Sequence, residues 1–217
     1  MDYFKKLALR NLAIAACPWW ADFKENLKFV RHARKWRRQG FKPPFPCLLK
    51  RTIIKTEAEK FDASVLVETG TFLGDTPWFF RKLFRKIFSI EVHPGFALAA
   101  ATRFSRWPHI QILEGDSAAR LPEIVSAVDG RCVYWLDGHY SAGTTGRSDC
   151  DCPIWGELAS IIGKNRSPFI ILIDDARCFG TDPSYPSLAD LQKFACERLP
   201  GCAFFVENDI IRIHPAS

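Results

Sequence analysis

Val65-Leu66-Val67-Glu68-Thr69-Gly70-Thr71-Phe72-Leu73-Gly74-Asp75-Thr76 is the stretch on which the reading of this chain turns. An apolar, β-branched run ends in a carboxylate, and two glycines follow at a spacing of four. The run predicts a buried strand. The glycines allow a sharp turn and a close approach of backbone to a ligand. Thr76 to Phe84 then predicts a helix, whose free N–H groups favour an anionic or polar ligand group. Many strand–turn–helix units carry two glycines for packing alone, so the surrounding chain has to decide.

It decides by repetition. Lys86-Ile87-Phe88-Ser89-Ile90-Glu91 is a second apolar strand ending in acid. In nucleotide-binding α/β sheets the carboxylate at that tip accepts hydrogen bonds from both ribose hydroxyls. A third strand, His109 to Leu113, runs into Glu114-Gly115-Asp116-Ser117. A fourth, Cys132 to Leu136, meets Asp137-Gly138-His139-Tyr140, and a fifth, Phe169 to Ile173, meets Asp174-Asp175. Acids are ordinary turn formers, which explains any one of these ends but all five much less well. Parallel strands place their C-terminal ends on one edge of the sheet, and ligands bind along that edge. After a helix from about Ser187 to Arg198, Ala203 to Glu207 and Ile210 to His214 flank Asn208-Asp209 as an antiparallel hairpin. The expected fold is α/β: a doubly wound, Rossmann-like, seven-stranded and mostly parallel sheet with a C-terminal antiparallel hairpin and an N-terminal helical extension.

These residues resemble the class I S-adenosylmethionine-dependent methyltransferases, over about residues 55 to 214. Glu68 to Gly74 is similar to that family's first motif, Glu91 to its ribose-binding acid and Gly115-Asp116-Ser117 to its adenine-contacting loop. Phe72 stands where the commonest pattern has a central glycine. Small-molecule O-methyltransferases tolerate that change, whereas a dinucleotide-binding Gly-x-Gly-x-x-Gly does not. The resemblance implies S-adenosyl-L-methionine as cofactor, held by Glu68, Gly70, Thr71, Phe72, Gly74, Thr76, Glu91, His93, Asp116, Ser117 and Asp137. His93 is expected to shape the ribose loop rather than to take part in chemistry.

A chain of 217 residues suffices for one α/β domain and an extension. Its 47% hydrophobic and 25% charged residues are those of an ordinary soluble protein. Eight cysteines form no two-pair metal pattern, and Cys150-Asp151-Cys152 has no matching pair, which argues against zinc. The thiols suggest a reducing cytoplasm rather than a disulfide framework. The apolar run Leu12 to Cys17 falls far short of the roughly 20 residues of a membrane span. It is also shorter than a signal-peptide core. A cytoplasmic protein is expected.

Charge divides the chain. Residues 1–60 hold 15 of the 30 Lys and Arg but only five acids, a net of +10, and the remaining residues carry −4. Tyr3 to about Gln39 predicts one or two helices interrupted at Cys17-Pro18, with the densest basic run at Arg31 to Arg38. That run reads first as a solvated helix face. Its functional readings are contact with a nucleic-acid backbone, an acidic glycan or an anionic membrane surface, the last favoured by Trp19, Trp20 and Trp36. Three prolines between Lys42 and Cys47 forbid regular helix. The expected division is a basic helical extension over 1–42, a Pro-rich linker over 43–50 and the methyltransferase-like domain over 51–217.

Asp137, Asp174 and Asp175 end neighbouring strands, and like charges so placed need a cation or raised pKa values. A hard divalent ion such as Mg²⁺ is one solution. The pattern is similar to metal-dependent O-methyltransferases of the catechol and macrocin types, which implies that these three acids are metal ligands. The other reading is structural: Asp174 caps its strand and Asp175 binds a backbone amide. His139, two residues past Asp137, is the candidate general base, since neutral imidazole takes a hydroxyl proton at physiological pH. Asp137 is its catalytic neighbour. Ser141 to Ser148 has the composition of a loop covering a substrate, with Tyr140 and Arg147 as candidate acceptor contacts. The leading expectation is methyl transfer to a hydroxyl of a small-molecule or glycan-like acceptor. Two alternatives stand: an RNA methyltransferase recruited by the basic segment, and a non-catalytic, nucleoside-binding scaffold.

Overall fold

The computed structural model describes residues 3–138 and 152–216. Its centre is a seven-stranded sheet built from β1 (Val65–Thr69), β2 (Lys86–Glu91), β3 (Ile110–Glu114), β4 (Cys132–Leu136), β5 (Phe169–Ile173), β6 (Ala203–Glu207) and β7 (Ile210–His214). The strand order is β3-β2-β1-β4-β5-β7-β6. The first five strands are parallel, and β7 runs antiparallel between β5 and β6. The expected seven-stranded architecture with its terminal hairpin is what the chain forms.

Side chains alternate across the sheet, as a two-residue period dictates. Val65, Val67 and Tyr134 point into one core layer, under α6 (Ser117–Ala127), α7 (Ile154–Lys164) and α8 (Leu188–Arg198). Leu66, Val133 and Trp135 point into the other, under α3 (Cys47–Lys60), α4 (Asp75–Phe80) and α5 (Pro94–Arg103). Covering both faces buries all five residues of β1, β4 and β5, which explains their unbroken apolar runs. Register then sets the site. Leu136 pairs with Ile173, so Asp137 and Asp174 follow at adjacent strand tips. Thr69 pairs with Leu136, which brings Gly70 level with Asp137.

Two expectations need correction. The helix expected from Thr76 to Phe84 stops at Phe80. The Arg81 guanidinium donates to the Trp78 carbonyl at 2.7 Å, an acceptor that the next helical turn would have used. The linker set at 43–50 is shorter than expected, because Cys47 to Lys50 form the first turn of α3.

The N-terminal segment forms α1 (Tyr3–Ala16) and α2 (Pro18–Arg38), broken at Cys17 as Pro18 requires. Both helices are anchored to the body. Leu7 is buried with Phe96 and Ala99, and the Asn11 side-chain amide donates to the Ala99 carbonyl at 2.8 Å. On α2, Asp22 accepts from Arg81 at 2.7 and 3.0 Å and from the Trp78 indole at 3.0 Å. Among the described residues no helix is long and apolar enough to cross a membrane.

Candidate active site

The tip of β1 is made mostly of backbone. Gly70 has φ +90, and a Cβ there would lie 2.4 Å from the Asp137 carbonyl oxygen, so only glycine lets the ends of β1 and β4 approach. Phe72, in the slot that commonly holds glycine, has φ 47. A non-glycine residue in that left-handed region stores about 1–2 kcal/mol, and such strain gathers at functional sites. Two contacts hold it there. The Phe72 amide donates to Glu91 at 2.7 Å, and its ring lies 4.9 Å from that of Phe96. The second Glu91 oxygen accepts from the His93 amide at 2.9 Å. Glu91 thus organises both loops, and each of its oxygens keeps a second lone pair for a hydroxyl donor.

Beneath the loop lies a buried polar chain. Ser89 donates to Glu68 at 2.5 Å, and the Ser89 and Thr71 hydroxyls are 2.6 Å apart. Burial pushes the Glu68 carboxyl up to about 8, against the opposing effect of its hydrogen bonds. Arg103, with no exposed surface, donates to the Leu73 carbonyl and to Asp75, each at 2.7 Å, and so fixes the exit of the loop. His93 Nδ1 accepts from the Gly95 amide at 3.0 Å, which makes His93 the N-cap of α5. Asp116 likewise caps α6, accepting from Ala119 at 3.1 Å, and Ser117 beside it is buried.

The tips of β4 and β5 are built from charge. Lys50, on the first turn of α3, donates to Asp174 at 2.5 Å and to Asp175 at 3.0 Å. The other Asp174 oxygen accepts from the Asp175 amide at 2.7 Å. Asp175, at φ 55, also takes Arg177 at 2.8 Å, and Arg177 bonds Asp209 in turn. Burial works against the Lys50 charge, but Asp174, Asp175 and Asp137 outweigh it and raise its pKa. Burial raises Asp174 to about 6. It raises Asp137 well above the ordinary range, with Asp174 adding to the shift. Burial raises Asp175 too, but Lys50 and Arg177 overcome it and leave that carboxyl lowered.

These three acids were expected to hold Mg²⁺, and their arrangement does not fit one. Lys50 and the Asp175 amide each take one Asp174 oxygen, and Lys50 and Arg177 share one oxygen of Asp175. Among the described residues no group of three His, Cys, Asp or Glu side chains is placed to hold a metal ion. Of the two answers to crowded acids, a cation or raised pKa values, the structure holds both: Lys50 sits among them, and Asp137 and Asp174 are raised.

Glycine loop and lysine meet in a cavity of about 560 Å³. Gly70, Thr71, Phe72 and Thr76 line it on one side and Lys50, Asp137 and Asp174 on another, with His32 of α2 and Cys47 of α3 also on its wall. Glu91, His93, Asp116 and Ser117 are not on its wall: Glu91 holds the Phe72 and His93 amides, and Asp116 and Ser117 follow the tip of β3. His139, Tyr140 and Arg147 fall outside the described residues.

Sequence reasoning missed two members of this edge. Lys50 carried no local signal, since its partners lie 124 and 125 residues away. Glu157, on the first turn of α7, is fully buried, and burial pushes its carboxyl up to about 7. It sits near Thr69, Ser117 and Gly138, between the tips of β1 and β4 and the start of α6. An acid in a first helical turn reads as dipole compensation, so nothing marked it as buried.

No protein-family model matches the chain, and neither does any curated protein sequence. Solved structures do match its fold. The O-methyltransferase TomG from Streptomyces achromogenes, in complex with SAM, superposes with a TM-score of 0.52 at 19% identity, covering 82% of this chain and 85% of its own. The SAH-bound Podospora anserina methyltransferase PaMTH1 gives 0.52 at 15%, covering 85% and 87%. The MycE methyltransferase of the mycinamycin pathway, in complex with Mg and SAH, gives 0.55 at 13%, covering 84% of this chain and 54% of its own. At these identities the likeness concerns the backbone: the chain has the fold of class I methyltransferases.

Proposed function

We propose that this protein transfers the methyl group of S-adenosylmethionine to a hydroxyl of a small-molecule or glycan-like acceptor, without a metal ion. The observation that carries the reading is the shared cavity, in which the glycine loop of β1 faces the acid–lysine cluster of β4, β5 and α3. The loop and Glu91 suit the donor nucleoside. Asp137, Lys50 and Asp174 line the wall where an acceptor oxygen would meet the sulfonium methyl.

In that arrangement the oxygen–methyl bond forms as the sulfur–methyl bond breaks, and the acceptor proton leaves to His139, two residues beyond Asp137 in the chain. Negative charge develops on the acceptor oxygen as its proton leaves ahead of the methyl transfer. The Lys50 ammonium, fixed between two carboxylates, offsets that charge with no reorganisation at the moment of reaction. Tyr140 and Arg147 complete the proposal as acceptor contacts. The fold neighbours that carry SAM or SAH support the choice of cofactor.

Calorimetry with S-adenosylhomocysteine is the first test, and absence of binding sinks the proposal. Transfer of a labelled methyl to a panel of hydroxylated acceptors, with and without a strong chelator, is the second. Equal transfer in both conditions is expected. Transfer abolished by the chelator and restored by Mg²⁺ would return the metal to the acids and displace Lys50 from this role.

A further inference from the structure

The helix that supplies His32 to the cavity has an opposite face with a different character. On α2, Asp22 binds Arg81 and Trp78, His32 lines the cavity, and Trp36 packs on Phe41 and Phe45. At about 100° per residue these three lie on one side of the helix, toward the body. Trp19, Phe23, Leu27 and Val30 fall roughly on the other side, and they are 70%, 55%, 45% and 40% exposed. Arg34, Arg37 and Arg38, all exposed, continue the same outward stripe to the end of the helix. Over its 21 residues α2 carries seven Lys and Arg against two acids, and one of those acids is engaged by Arg81.

We infer that α2 docks this protein on the surface of an anionic lipid bilayer. Four large apolar side chains in water are unfavourable, and contiguous exposed patches of this kind mark interaction surfaces. A nucleic acid would match the arginines but offers nothing to Leu27 and Val30. A bilayer interface matches both halves: Trp, Phe and Leu enter the headgroup–acyl boundary, and Arg meets lipid phosphates. Because Asp22 and Trp36 hold the helix from behind, the stripe is presented ready-formed, and docking leaves the body's packing intact. The inference is independent of methyl transfer.

The test is flotation of the full chain with vesicles of phosphatidylcholine alone, or mixed equally with phosphatidylserine. Binding is expected to the mixed vesicles only, weakening as salt rises. Each of Arg34→Gln, Arg37→Gln and Arg38→Gln should weaken it by about fivefold. The double variant Leu27→Ser/Val30→Ser, whose side chains are 45% and 40% exposed, should weaken it at least tenfold. Trp19→Ser provides a second apolar variant should the double one fold poorly. Failure to bind either vesicle overturns the inference. Binding that follows charge, ignores the apolar variants and is competed by RNA overturns it in favour of a polyanion site. Sedimentation showing a dimer that the apolar variants dissolve would make the stripe an interface between copies of this chain.

Discussion

The two tips of this sheet that share a cavity are made of different materials. At β1 the working parts are backbone: a glycine that lets two strands touch, a left-handed Phe72, and amides gathered on Glu91. At β4 and β5 they are side-chain charges, three carboxylates and a lysine that arrives from another part of the chain. A backbone device tolerates change in side chains but not in chain path. A charge cluster behaves the opposite way, tolerating changes of shape while depending on every charge being answered.

The largest effect should come from the charge side. Lys50→Met is expected to lower turnover by about 10²–10³-fold, in the range seen when a preorganised electrostatic contact is lost. Affinity for S-adenosylhomocysteine should stay within about threefold, as measured by calorimetry. Equal loss of both would mean that Lys50 shapes the donor pocket and the two tips are not separable.

On the backbone side, Gly70→Ala should destabilise the fold by about 2–4 kcal/mol in urea unfolding, since the new methyl meets the Asp137 carbonyl at a positive φ. Donor binding should fall with it. A variant as stable as the parent would show that the tips of β1 and β4 can part freely.

Beneath both tips, the buried glutamates make stability depend on pH. Glu157 and Glu68 titrate at about 7 and about 8 in the folded chain, above the ordinary 4.5. The folded state therefore binds protons that the unfolded state releases. That stabilisation is complete below about pH 4.5 and is lost as pH rises through about 7 and 8. For Glu157 the loss is on the order of 3 kcal/mol. Melting temperature should fall from pH 5.5 to 8, and Glu157→Gln should flatten the fall. An unchanged slope in that variant would remove Glu157 from the account.

The smallest effect is expected at Phe72. Replacement by glycine relieves the left-handed strain and forfeits the ring contact with Phe96, two changes of similar size. Stability should move by less than about 1 kcal/mol. Donor affinity should hold within about threefold, because glycine keeps the amide that Glu91 accepts. A large loss of affinity would mean that the ring itself, 41% exposed, touches the donor.

What could be read from the sequence follows the same division. Strands, hairpin and glycine loop were legible because each is written in consecutive residues: an apolar run, an acid at its end, a glycine where the path turns. The helical break at Cys17-Pro18 was legible for the same reason. The meeting of Asp137, Asp174 and Asp175 at one edge was legible too, but the lysine among them was not. Lys50 sits in a segment that the three prolines marked as linker, and its partners become neighbours only when α3 crosses the strand tips. Arg103 and Glu157 escaped notice because a helical Arg or Glu ordinarily faces water, and burial is a property of the packed helix rather than of the residue. Basic charge in the N-terminal segment was plain, whereas its attachment through Asn11 and Asp22 rests on polar contacts with residues distant in the chain.

Cys47 opens α3 on the wall of the cavity, three residues before Lys50, and its thiol is both free and exposed. Nature has thus left a chemical handle inside the chamber. A small alkylating reagent entering from solvent would meet that sulfur beside the lysine, and a bound molecule would bar its way. The rate at which the thiol is modified becomes a gauge of occupancy that needs neither turnover nor a known acceptor, and any metabolite that slows it identifies itself as a tenant.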